Sequence, residues 1–271
     1  FENLYAWGLY RVNWRKNQGL LDVGLYFHGQ CVTSWPMNGP KTPLMLVPGL
    51  LCDAALWSHQ IAHLSDIADI AVAETTRDDN LTGMARRILA AAPPRFALAG
   101  LSMGGYVCFE IMRQAPERVT RLALLDTAAS PDDAARAATR RGLIELAEKG
   151  RFKGVTPRLM PMFVHPDRLQ DEALTGAIMR MAESVGKDAF LRQQKAILGR
   201  SDSRPGLTDI DVPVMVVCGR QDLATPLESS EEIASLTPGA RLCVIEECGH
   251  LSSMERPHAV TALMRDWLLR G

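Results

Sequence analysis

From Thr42 onward, short apolar runs alternate with longer stretches whose apolar residues recur every three or four positions. Runs 44–47, 70–73, 96–99, 119–125, 214–218 and 242–245 are short and rich in Val, Ile, Leu and Ala, the pattern of buried strands. Between them, Asp53 is placed to cap a helix carrying Leu56, Trp57, Ile61 and Leu64 on one face, and Asn80 to cap a second over 81–92. A third helix over 103–114 stops before Pro116, and another lies near 228–236. Pro257 opens the last, with Val260, Leu263, Met264, Trp267 and Leu268 on its buried face. Strand and helix in regular succession imply parallel βαβ units.

Two stretches break this rhythm. Between Ser130 and Asp211 the strand signal lapses, and Ala, Leu, Met and Arg are interrupted at Gly150, Pro157, Pro161, Pro166 and Gly186. Several short helices are expected there, forming a lid over 131–210 inserted into a core made of 1–130 and 211–271. Residues 1–40 hold Trp7, Trp14, Trp35, Tyr5, Tyr10 and Tyr26, most of the chain's tryptophan and tyrosine. Two strands, over 10–14 and 25–33, are expected to add an antiparallel edge and bring the mostly parallel sheet to eight strands. Glu2-Asn3-Leu4-Tyr5 resembles the start of a protease-cleavage tag that Ala6-Trp7 does not continue, so part of this segment is expected to be exogenous.

Composition narrows the function classes. The 271 residues are 47% hydrophobic with a formal net charge of −1, which speaks against nucleic acid or an anionic membrane as the main partner. No apolar run approaches the ~20 residues that span a bilayer. Six scattered cysteines show no Cys-x-x-Cys pair or zinc-finger spacing, so no metal is expected. Cys108, Cys218 and Cys243 fall inside apolar runs, as small buried hydrophobes do, and reduced thiols fit a cytoplasmic setting.

The chemistry concentrates in 96–106, FALAGLSMGGY, where an apolar strand runs through Gly-x-Ser-x-Gly straight into a helix. A residue at so sharp a turn is strained, and the flanking glycines remove side chains that would collide. Ser102 is thereby the candidate nucleophile, with the Met103 N–H at the helix start beside the place where an oxyanion would form. A serine hydroxyl needs a base, and the base an acid to fix its tautomer. His250, in Cys248-Gly249-His250 after the final strand, is the candidate base. Asp222, after the strand 214–218 and before Thr225-Pro226, is the candidate acid, with Asp126 at the end of 119–125 as its rival. The second oxyanion donor is expected in Pro48-Gly49-Leu50-Leu51, from the N–H of Leu50, or of Leu51 if the turn is rotated. Met160, Met162 and Phe163, with Met179, Met181 and Phe190, could line an apolar substrate pocket or simply pack the lid. Arg136, Arg140, Arg141, Arg158 and Arg180 could include a carboxylate clamp or be solvated charges.

Several pieces carry a family resemblance. They are Gly100 to Gly105 (GLSMGG), Ala115-Pro116-Glu117-Arg118-Val119, Asp222-Leu223-Ala224-Thr225-Pro226, and His250-Leu251-Ser252 with Glu255-Arg256-Pro257. From about Pro43 on, the chain resembles the α/β-hydrolase superfamily, and within it 3-oxoadipate enol-lactonase and related carboxylesterases. Many relatives read His-Gly where Pro48-Gly49 stands. The resemblance implies an α/β-hydrolase fold and cofactor-independent hydrolysis of a small ester or lactone; a lid rich in Met and apolar residues over a pocket adds an expected preference for short to medium acyl groups. Carbon-carbon hydrolases of ring-cleavage products and cofactor-free perhydrolases share the same triad, and a non-catalytic ligand receptor would keep the pocket alone. Serine at the elbow argues against the haloalkane dehalogenases and epoxide hydrolases, which place aspartate there.

Overall fold

The computed structural model describes residues 41–270 together with two antiparallel two-residue strands, Tyr26–Phe27 and Gln30–Cys31. The strand expected over 10–14, the remainder of 25–33 and the exogenous origin of part of 1–40 lie outside the described residues. The main sheet has six strands among those described: β1 (Thr42–Val47), β2 (Ala68–Val72), β3 (Phe96–Leu101), β4 (Val119–Leu125), β5 (Val214–Gly219) and β6 (Arg241–Ile245). Their order is β2-β1-β3-β4-β5-β6, and every pairing is parallel. The expected eight counts two strands in 1–40, where the described pairing is only that of Tyr26–Phe27 with Gln30–Cys31.

Strand residues alternate between two cores because successive side chains point to opposite faces. Leu44, Leu46, Ala97, Ala99, Leu101, Leu125 and Val217 face one core, packed with Trp57 and with Leu64 from helix α1 (Ser58–Leu64). Helix α7 (Pro257–Leu269) adds Val260, Met264 and Trp267 to it. Met45, Val47, Phe96, Leu98, Leu124 and Val216 face the other. There they meet Met84 and Ile88 of α2 (Leu81–Ala91), Val107 and Ile111 of α3 (Met103–Gln114), and Ile233 of α6 (Leu227–Leu236). Burying each large side chain contributes about 1.5–3 kcal/mol. Strands β3 and β5 are buried along their whole length, which is why they read as unbroken apolar runs.

Local signals set the helix ends. Asn80 accepts the Gly83 N–H at 2.7 Å and starts α2. Asp53 accepts the Ala55 N–H at 2.8 Å, two residues on, so it opens a short 3-10 turn (Ala54–Trp57) before α1 rather than the helix itself. Between β4 and β5 stand α4 (Ala134–Leu146) and α5 (Glu172–Leu198), joined by short turns. The longest of these is broken at Gly186, as its sequence predicts: φ 77° and ψ 178° there are not helical, and two helices meet at the kink. Asp132 joins the two arms of this insertion by accepting from Arg140 (2.6 Å) and Arg200 (2.9 Å), and the Arg200 guanidinium, 4.4 Å from the Tyr106 ring centroid on α3, ties it to the core. Among the described residues no helix is long and apolar enough to cross a membrane.

Candidate active site

At the end of β3 the chain reverses within one residue. Ser102 sits at φ 56° and ψ −118°, a conformation that costs a non-glycine residue about 1–3 kcal/mol. Three hydrogen bonds hold it there: Ser102 N–H to Leu125 O at 3.0 Å, Gly105 N–H to Ser102 O at 2.9 Å, and Thr127 Oγ1–H to Ser102 O at 2.8 Å. A Cβ on Gly104 would run into the carbonyl of Val47, and one on Gly100 into the carbonyl of Gly104. The helix can therefore start against the strand only with glycine at both places.

The loops after β5 and β6 bring two more side chains to Ser102. His250 Nε2 is 2.9 Å from Ser102 Oγ, and His250 Nδ1 is 2.8 Å from Asp222 Oδ2. The Asp222 carboxylate is saturated: Oδ1 accepts the N–H groups of Ala224 (2.8 Å) and Thr225 (2.9 Å), and Oδ2 also accepts from Thr225 Oγ1 (2.8 Å). Both His250 and Asp222 are buried. Burial pushes the His250 pKa down, but the charge and hydrogen bond of Asp222 and the charge of Asp126 outweigh it, and the net shift is upward.

Asp126, the rival acid, lies close by without reaching the imidazole. Its Oδ1 accepts the Gly219 N–H at 3.0 Å, and its Oδ2 accepts from the N–H (3.3 Å) and hydroxyl of Ser252. It thus bridges the end of β5 to the segment just after His250. Burial, and then the charge of Asp222, raise its pKa. Metal-ligand atoms of Asp126, Cys218 and Asp222 lie within 4.8 Å of one another. Both carboxylates already accept several hydrogen bonds, and burial pushes the Cys218 thiol well above its usual range, so these groups fit a hydrogen-bond network better than a metal.

Backbone donors complete the surroundings. Among the described residues no hydrogen bond occupies the N–H of Leu50, whereas that of Leu51 goes to Gln193 Oε1 at 3.0 Å. Of the two expected donors in this turn, Leu50 is the one left available. Met103 stands at the first position of α3, where a helix N–H has no partner in its own helix.

The insertion reaches the site from the other side. Phe163 O accepts the N–H groups of His250 (3.0 Å) and Leu251 (3.1 Å), and the Phe163 ring centroid is 6.2 Å from that of His250. The buried Glu255 carboxylate accepts the N–H groups of His165 and Gly249, each at 3.0 Å. Met160 is packed into the core and Met162 is exposed, so of the three expected lining residues Phe163 is the one beside the imidazole. Arg140 is bound to Asp132 and to Gln194 Oε1 at 2.9 Å, which takes it up as a candidate clamp. The site contact of Gln193 leaves no signal in the sequence, since Gln193-Gln194 stands between Arg192 and Lys195 and reads as a solvated stretch, and Glu255 stands out only within Glu255-Arg256-Pro257.

The family model described as the alpha/beta hydrolase fold matches residues 74–257. The pimeloyl-[acyl-carrier protein] methyl ester esterase of Nitrosomonas europaea is 28% identical over 236 residues, covering 81% of this chain and 92% of that protein. A thermophilic esterase from Thermogutta terrifontis superposes with a TM-score of 0.76 at 28% identity, covering 85% of this chain and 90% of that one. The enol-lactonase from Burkholderia xenovorans LB400 gives 0.73 at 25% identity, covering 86% and 93%. With the greater part of the chain inside that family model, and a parallel sheet whose third strand ends in a strained serine turn, the protein belongs to the alpha/beta hydrolase fold family.

Proposed function

We propose that this protein is a cofactor-independent serine hydrolase of carboxylic esters, lactones included, with a preference for short to medium acyl groups. The observation that carries the reading is the unbroken chain from Ser102 Oγ through His250 to Asp222, with contacts of 2.9 and 2.8 Å. In this reading Ser102 Oγ attacks the ester carbonyl while His250 Nε2 takes its proton. Asp222 holds the ring tautomer that leaves Nε2 free to accept, and stabilises the imidazolium. The negative charge that forms on the carbonyl oxygen is met by the N–H groups of Leu50 and Met103. Collapse of the tetrahedral intermediate expels the alkoxide, which takes the proton from His250. Water, deprotonated by His250, then attacks the acyl-serine; the bond to Ser102 Oγ breaks, Oγ takes the proton back from His250, and the acid is released. The methyl ester esterase and enol-lactonase among the similar proteins support this class of substrate.

The test is acylation. Mixed with p-nitrophenyl acetate, the protein should release nitrophenol in a burst and carry an acetyl group on the Ser102 peptide. Ser102→Ala should abolish the adduct and leave about a thousandth of kcat or less. An acetyl group found elsewhere, or full turnover in the alanine variant, would refute the reading.

A further inference from the structure

The turn that presents Leu50 is held by a residue of the helical insertion. Residues 49–52 form a β-turn closed by Cys52 N–H to Gly49 O at 3.2 Å, with Leu51 in its third position at φ 58°. Type II turns take glycine at that place, because a side chain there is strained in the left-handed region. Leu51 is nonetheless a leucine, and its side chain is buried in a cluster with Phe190 and Ala182 of α5. Its N–H is accepted by Gln193 Oε1, and Gln193 Nε2 donates to Thr75 O at 3.3 Å and Thr75 Oγ1 at 3.4 Å, just past β2. Gln193 is fully buried, and its amide has one orientation, since a flip would set an N–H against the Leu51 N–H. Arg192 donates to Thr76 O at 2.7 Å, so α5 is fastened twice to the segment beside the turn.

We infer that Gln193 is a positioning residue that sets the oxyanion turn, an inference that rests on the ester hydrolysis proposed above. Cys52 holds the Gly49–Leu50 peptide plane and Gln193 holds the Leu50–Leu51 plane. Together they fix the direction of the Leu50 N–H. Without Gln193, the strained Leu51 can leave the left-handed region by rotating the second plane, and the backbone of Leu50 turns with it. The insertion thereby acts on the transition state as well as on access to the site.

Gln193→Met keeps side-chain length and removes all three hydrogen bonds. Its kcat for p-nitrophenyl acetate should fall about 10- to 100-fold, the order expected when a transition-state donor is misplaced by up to about an ångström. KM and the pH midpoint of kcat/KM should stay close to wild type, since His250 is untouched. Affinity for a trifluoromethyl ketone, whose adduct with Ser102 carries the oxyanion, should fall by the same factor as kcat. Gln194→Met is the control: Gln194 is as deeply buried but bonds Arg140 and not the turn, so no transition-state contact is lost and kcat should stay within about threefold. Wild-type kcat in Gln193→Met, a loss confined to KM, or equal losses in both glutamine variants overturns the inference. If Gln193→Met does not fold, Gln193→Ala replaces it: it likewise removes the acceptor of the Leu51 N–H, so kcat must again fall about 10- to 100-fold with KM near wild type, and activity within about threefold of wild type overturns the inference. A wild type that is not acylated at Ser102 overturns the ester reading and this inference with it, whereas an acylated wild type beside a fully active Gln193→Met overturns this inference alone.

Discussion

Asp222→Asn exchanges one atom and leaves room for every other, so its cost can be worked out from hydrogen-bond directions. Oδ1 of Asp222 accepts two backbone N–H groups, from Ala224 and Thr225. In the asparagine variant the carbonyl oxygen must stay at that position, which sends the amide nitrogen to the place of Oδ2, 2.8 Å from His250 Nδ1. An amide nitrogen only donates, so Nδ1 becomes the acceptor and the ring proton moves to Nε2. There it points at Ser102 Oγ, and the base has no lone pair left for the serine proton. The Thr225 hydroxyl, 2.8 Å from the same atom, can turn and accept, so the loop keeps its bonds and the fold should persist. A wrong tautomer in such a triad costs about 10⁴ in kcat, or about 5 kcal/mol of barrier. Steady-state kcat on p-nitrophenyl acetate, beside thermal melting, measures both effects. A variant keeping more than about a tenth of wild-type kcat would refute the role assigned to Asp222.

Three further outcomes are expected. Because the His250 pKa is raised above its ordinary 6.5 and only neutral imidazole accepts the Ser102 proton, kcat/KM should be lost as pH falls through a midpoint above 6.5; a flat profile across that range would remove His250 as the base. Asp126→Asn should lower kcat less than about tenfold, since Asp126 bonds Gly219 and Ser252 and not the imidazole; a larger loss than that of Asp222→Asn would reverse the assignment of the acid. Across p-nitrophenyl esters from acetate to palmitate, rates should peak at short or medium chains, because the insertion is bonded to the loops around His250 and Leu51 and so limits the space over Ser102; rates still climbing at palmitate would sink this.

What could be read without coordinates follows from which groups carry the information. Strands from β1 onward show themselves because helices cover both faces of the sheet, so β3 and β5 are apolar at every position. Ser102, Asp222 and His250 show themselves because the chemistry proposed for them needs particular side chains at strand ends. Helix α4 is harder to bound, since no residue in it is buried and its pattern lacks an apolar face fixed by the core. Gly150 and Gly186 read as breaks, and the backbone leaves the helical region at both. The proposed oxyanion donors are the least legible part, because every residue except proline has an N–H and a backbone donor leaves no trace in composition. What distinguishes Leu50 is the conformation of its neighbour, Leu51 at φ 58°, whose N–H is accepted by Gln193. A buried glutamine in a helix looks like a solvated position until its partner is known. The backbone half of a site of this kind is therefore found through the side chains that hold it: Thr127 on the Ser102 carbonyl, Glu255 on the Gly249 N–H, and Gln193 on the turn that presents Leu50.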